Sequence, residues 1–263
     1  MTEPLDTGRP HPARVYDYLL GGKDNFAADR AAAAKGLEAN PNAATAPREN
    51  RAFLRRTVRF LAAEAGIDQF LDIGTGLPTS PNVHEVAQAA DPSARIVYVD
   101  NDPIVLTHAR ALLTSEPPGR TAYVGARLQE AEHILDATEV RDTLDLDRPV
   151  ALLLFAILHF IEDHEDPYGI VTRLMDRLPS GSYLVVSHIT GDYDPGSWAR
   201  FAAVMRDQGI PTRIRSRDEV TRFFDGLDLV DPGVVPILSW RPESEPEFTD
   251  AQVALYGGVG RKP

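Results

Sequence analysis

The segment Phe70-Leu71-Asp72-Ile73-Gly74-Thr75-Gly76-Leu77-Pro78-Thr79 sets two glycines and a carboxylate directly after a short apolar run. Glycine at such a turn lets the backbone approach a ligand where a side chain would block it, and the next helix points free N–H groups into the same space. This suits a nucleotide-type ligand. The position that a dinucleotide fold fills with a third glycine is Thr79, beside the stiff Pro78, which disfavours a pyrophosphate there. Asp72, two residues before the first glycine, opposes a diphosphate and suits an ammonium. The expected ligand is therefore a nucleoside bearing an amino acid, its amine near Asp72. Asp100 ends the next apolar run, where a carboxylate can accept hydrogen bonds from both ribose hydroxyls. Asn101 follows and would border the base, while Asp102 reads as the cap of a helix starting at Pro103.

Elements able to position these residues follow from the pattern of apolar runs. Gln69–Ile73, Arg95–Asp100, Thr121–Gly125, Pro149–Ile157 and Ser182–His188 are short and apolar, and helical segments fit between them at Asn82–Ala90, Pro103–Leu113, Leu128–Leu135 and Pro167–Leu178. Strands buried on both faces and separated by helices describe a parallel sheet covered on both sides. Further helices are expected at Gly196–Gln208 and, behind a Ser216/Glu219 capping box, up to Phe224. Late strands are expected at Leu227–Val235 and Gln252–Val259, flanking a Pro/Glu-rich loop. The fold class expected is α/β: a doubly wound, mainly parallel seven-stranded sheet with an N-terminal helical extension. Residues 1–66 would form that extension, with Pro12, Asp24 and Pro47 opening three helices, and residues 67–263 the ligand-binding domain.

Composition narrows the chemistry. The 263 residues include no cysteine, which removes disulfide scaffolds, thiolate metal sites and cysteine nucleophiles. Net charge is −12, so a polyanion is repelled on average and nucleic acid is not an expected partner. Arginine supplies all the positive charge except Lys23, Lys35 and Lys262, and the Arg213, Arg215, Arg217 run reads as a solvated edge. The longest apolar stretch, Val150 to Leu158, is far short of the roughly 20 residues of a membrane span. No basic-then-apolar leader is visible in residues 1–14, so no membrane partner and a cytoplasmic location are expected.

With these residues in place, the sequence resembles the class I S-adenosylmethionine-dependent methyltransferases, and more closely a bacterial methyltransferase family long catalogued as a domain of unknown function. The resembling stretches are ARVYDYLLGGKDNFAADR (13–30), NRAFLRR (50–56), DIGTGLPT (72–79), NVHEVA (82–87), YVDNDP (98–103), LHF (158–160) and GGVGRKP (257–263). The resemblance implies a Rossmann-like fold and S-adenosylmethionine as cofactor. It places Asp72 near the methionine amine, the backbone of Gly74, Gly76 and Leu77 along the methionine portion, Asp100 on the ribose and Asn101 beside the adenine. Ala126-Arg127 stands where the class often has Ala-Asp contacting the adenine, a departure from the pattern. Phe155 and Ala156 would line the methyl-transfer side.

Methyl transfer needs a general base only where the acceptor is protonated at working pH. His159, just past the fourth strand, is the expected catalytic residue; His188 is a second candidate, and His84 is expected to face the cofactor or acceptor. Tyr16, Tyr18, Gly22 and Lys23 would form a lid over the site, and Trp240 with Arg241 read as surface-loop residues, with completion of an acceptor pocket as the alternative. The acidic run from Glu162 to Asp166 reads as a solvated loop, and no metal is expected. The function expected is methyl transfer to a small-molecule acceptor. Alternatives left open are a non-catalytic S-adenosylmethionine- or nucleoside-binding regulatory protein and a nicotinamide-dependent oxidoreductase.

Overall fold

The computed structural model describes residues 6–263; residues 1–5, part of the stretch read for a leader, lie outside the described residues. Three helices come first: α1 (Pro12–Leu19), α2 (Ala27–Ala39) and α3 (Ala46–Ala63). The chain then alternates through β1 (Gln69–Ile73), α4 (Val83–Ala90), β2 (Arg95–Asp100), α5 (Pro103–Leu112) and β3 (Arg120–Gly125). It continues through α6 (Ala131–Asp136), α7 (Thr138–Thr143), β4 (Ala151–Phe155), α8 (Pro167–Asp176) and β5 (Tyr183–Ile189). The last part holds α9 (Pro195–Asp207), α10 (Arg217–Thr221), β6 (Asp228–Leu229), β7 (Val235–Pro236), α11 (Asp250–Val253) and β8 (Leu255–Arg261).

The sheet order is β3-β2-β1-β4-β5-β8-β6, with β7 also on β8. Strands β1 to β5 pair in parallel, and β8 runs antiparallel to β5. Alternate side chains of each central strand enter opposite cores, which is why these strands read as unbroken apolar runs. On one face Phe70, Ile96, Leu153 and Phe155 meet Phe53, Val58 and Leu61 of α3. On the other, Leu71, Val97, Leu152 and Leu154 meet Ile134, Val140, Ile170 and Leu174 of the helices there. Strand order reverses between β1 and β4, so a crevice opens at their C-terminal ends.

Several expectations change in detail. The second helix is not capped by Asp24: Asp29, three residues inside it, accepts the Phe26 N–H at 2.8 Å. The seventh strand position is filled by two fragments, β6 and β7, each pairing with a different part of β8. Gln252 and Val253 belong to α11, and Ala254, at φ 48°, turns the chain into β8. The Ser216/Glu219 capping box forms as expected. Within the N-terminal extension, α3 is built into the main core, whereas Val15, Ala32 and Ala33 of α1 and α2 pack with Met205 and Ile210. Among the described residues, no helix is long and apolar enough to cross a membrane.

The glycines of β8 allow this packing. A Cβ on Gly257 would lie 2.7 Å from Phe53 Cζ and 2.8 Å from Ile237 Cγ2, so the strand meets α3 only without a side chain there. Gly257→Val should lower stability by about 1–3 kcal/mol through overpacking, read as the urea midpoint. An unchanged midpoint would contradict this account of the contact.

Candidate active site

The crevice at the β1–β4 switch holds a cavity of about 270 Å³. Its floor is the turn after β1. Gly74 N and Thr75 N both donate to Val99 O, at 2.8 and 3.2 Å, clipping the turn to β2. The two glycines there have different reasons to exist. Gly74, at φ 80°, lies against Ile157, which a Cβ would meet at 2.7 Å; Gly76, at φ 69°, has no atom within 4 Å of a Cβ position. The first serves packing. The second presents bare backbone to open space.

Two carboxylates face this cavity. Asp72 is buried, and desolvation pushes its pKa up to about 7 although the Arg51 charge pulls the other way. Asp100 is also buried; burial raises its pKa, opposed by the N–H groups it accepts. Its Oδ2 accepts from Gly76 N and its Oδ1 from Asp102 N, each at 2.9 Å. Each oxygen keeps further acceptor capacity for a ligand. Asp102 caps α5, accepting Ile104 N at 2.9 Å, and pairs with the buried Arg14, whose Nε lies 3.1 Å from Oδ2. That pair ties α1 to the rim.

Of the residues expected at the site, Asp72, Gly74, Gly76, Asp100, Asn101, Ala126, Arg127, Phe155, Ala156 and Tyr16 do line this cavity. Arg127 is largely exposed, its Nη2 3.9 Å from Glu165 Oε1. Leu77, expected there through its backbone, does not line the cavity, and its side chain packs with Ile104 and Val105. His84 does not line the cavity; it is buried, its Nδ1 2.9 Å from the hydroxyl of Tyr98 on β2. Tyr18 is exposed, and neither it nor Lys23 lines the cavity. Gly22 serves the α1 stop, since a Cβ would strike the Asp17 carboxylate at 2.0 Å. Trp240 is fully buried against Phe53 and Phe60, away from the cavity.

His159 also lies outside this cavity. It is buried in the turn Leu158–Phe160, and desolvation, then the Arg215 charge, drives its pKa down to about 3, so the ring is neutral. His188 is held well below the ordinary range by burial, then by His159 and Arg215; its ring nitrogens sit 2.7 Å from Ile189 O and 2.9 Å from Arg215 Nη1. Arg215 itself is wholly buried, not on a solvated edge, and donates to Leu158 O, Ile161 O and Asp163 Oδ1.

Among the lining residues without a role assigned from the sequence are Asn50 and Arg51 of α3. The only signal was their place in the NRAFLRR stretch, where the apolar spacing dominated the reading. Asn50 Nδ2 donates to the Tyr16 hydroxyl at 3.0 Å, and its Oδ1 accepts from Ser187 Oγ at 2.6 Å. Ser187 in turn accepts the Ala156 N–H at 3.0 Å, and Tyr16 donates to Pro47 O. Burial pushes Tyr16 up to about 12, so its hydroxyl keeps its proton. Arg51 donates to the carbonyls of Thr79 and Pro81, bracing the loop before α4.

A folded-state pKa of Asp72 above its unfolded value means that the native chain binds the extra proton. Stability then declines as pH rises from roughly 4 to about 7. Asp72→Asn removes that titration, so in the ligand-free protein its gain in melting temperature should be larger at pH 8 than at pH 5. An equal gain at both would contradict the burial of the charge.

A family model described as S-adenosyl methyltransferase matches residues 1–263. The chain is similar to a DUF574 family protein from Streptomyces avermitilis MA-4680, at 50% identity and TM-score 0.96, over 99% of this chain and 100% of that one. It is similar to a Thermobifida fusca YX protein at 42% identity and TM-score 0.90, over 98% and 97% of the two chains. The fold alone is shared with the N-methyltransferase NodS from Bradyrhizobium japonicum WM9, solved with S-adenosyl-L-homocysteine. There the identity is 15% and the TM-score 0.51, over 95% of this chain and 99% of that one. Comparison with curated proteins gives no match.

Proposed function

The chain belongs to the S-adenosyl methyltransferase family, and from that premise we propose that it methylates a small-molecule acceptor, using the β1–β4 cleft to hold S-adenosylmethionine. The observation that carries this reading is the cavity itself: two buried carboxylates, Asp72 and Asp100, line it together with Gly76, whose missing side chain leaves open space.

The residues fit the cofactor group by group. Asp72 is a buried carboxylate suited to an ammonium, and Arg51 beside it is suited to the α-carboxylate of the same amino-acid portion. Asp100, fixed by two N–H groups, has lone pairs left for ribose hydroxyls. Asn101 and the Ala126–Gln129 segment line the part of the cavity suited to the base, with Ala126 N bonded to Asp100 O. When bound, S-adenosylmethionine supplies a methyl carbon made electrophilic by its sulfonium. The chain contributes orientation and exclusion of water, the larger part of catalysis for an in-line displacement. Phe155, Ala156 and Phe160 form the apolar side of the cleft, where water competes poorly.

Asp100→Ala should weaken S-adenosylhomocysteine binding by about 1–3 kcal/mol in calorimetry, the loss of a buried hydrogen-bonding partner; unchanged affinity would remove Asp100 from the ribose site. Incubation with methyl-labelled S-adenosylmethionine and a small-molecule extract should move label into the extract. Retained S-adenosylhomocysteine binding with no label moved into any extract would sink the transfer reading.

A further inference from the structure

Beside the cleft lies a second cavity of about 80 Å³, lined without any carboxylate, lysine or arginine among the described residues. The two share Pro12, Tyr16, Asn50, Ala156 and Phe160, so they are neighbours across one wall. The rest of the second cavity is mainly apolar, built from Val15 and Leu19 of α1, Trp198, Phe201 and Met205 of α9, and Leu255 at the start of β8.

The polar side chains on this wall are unequally engaged. Tyr16 and Asn50 bond to each other and to Pro47 and Ser187, while Thr212 Oγ1 donates to Ile210 O at 3.1 Å. His159 and Trp198 are buried, and His159 Nδ1 and Trp198 Nε1 have no hydrogen-bond partner. Buried polar atoms are rarely left so, and their desolvation is offset when a bound group can hydrogen-bond to them. A charged ligand would lose its water here and find no counter-charge. A neutral one would not.

We propose that this second cavity is the acceptor site and that it takes a small, uncharged, largely apolar molecule with one hydroxyl-type group directed at His159. The proposal rests on the reading of the adjoining cleft as the cofactor site. Position supports it: the shared wall sets a ligand here against Ala156 and Phe160, which also form the apolar side of the cleft. His159 then acts as the recognition group for the acceptor hydroxyl, and the apolar wall selects against carboxylates and ammonium groups.

The chain has three methionines, which makes the test direct. Met205 lines the second cavity, and Met175 sits in the core on the other face of the sheet. In the full chain labelled with ¹³C at the methionine methyls and saturated with S-adenosylhomocysteine, phenol should shift the Met205 signal and leave Met175 in place. Benzoate and benzylammonium should shift neither. Phenol should bind about fivefold or more tightly than toluene, and His159→Phe should erase that preference while S-adenosylhomocysteine affinity stays the same. The phenol, toluene and benzoate comparison in the unaltered chain stands even if the variant fails to fold. Phenol leaving Met205 unmoved, or benzoate moving it equally, in protein that still binds S-adenosylhomocysteine would overturn the acceptor assignment alone. Absence of S-adenosylhomocysteine binding in calorimetry would instead overturn the reading of the cleft.

Discussion

The Asp100 carboxylate holds the site together because its two oxygens clamp two loops at once. One oxygen accepts Gly76 N, from the loop after β1, and the other accepts Asp102 N, from the loop after β2. The loops are thereby kept one carboxylate width apart. The clamp continues outward: Asp102 caps α5 and meets Arg14, and Arg14 brings α1 against the cleft. Tyr16, on the same helix, then lines both cavities. A buried carboxylate is costly unless it is well bonded, and N–H donors on both oxygens offset that cost. Asp72 has less such help. Its carboxyl is correspondingly held toward the neutral form.

Arg215 does for the opposite wall what Asp100 does for the floor. It has no exposure, yet it donates to Leu158 O, Ile161 O and Asp163 Oδ1 and approaches His188. These bonds hold the segment after β4, which contains His159 and Phe160, between the two cavities. Burial first, and the Arg215 positive charge as a smaller contribution, keep both neighbouring histidines neutral. A neutral His159 has one N–H donor and one nitrogen acceptor, so it can hydrogen-bond an uncharged ligand. Removing Arg215 would be destabilising, because the buried turn after β4 would lose the donor to its Leu158 and Ile161 carbonyls.

The local parts of this molecule were readable in the chain itself. Strands Gln69–Ile73 and Arg95–Asp100 appear as the apolar runs indicated, and Ser216 with Glu219 forms the expected cap. The glycine turn and the two acids follow from steric and charge arguments that need only neighbours in sequence. Strand fragments β6 and β7 were not legible as such, since two-residue strands carry no periodicity of their own and exist only because β8 lies beside them. His84 and Leu77 sit next to site residues in sequence yet turn toward Tyr98 and α5, because helix and turn geometry aims adjacent side chains in different directions.

Spacing and residue type are enough for the alternation of strand and helix, the glycine turn, and the placing of two carboxylates, Asp72 and Asp100, around it. Tertiary structure alone decided that Asn50 and Arg51 join the cleft from α3, that Arg215 is buried, and that His159 faces a second, uncharged cavity. The reason is physical. A side chain's charge and shape belong to the residue, but its solvent exposure and its partners depend on segments that lie far away along the chain.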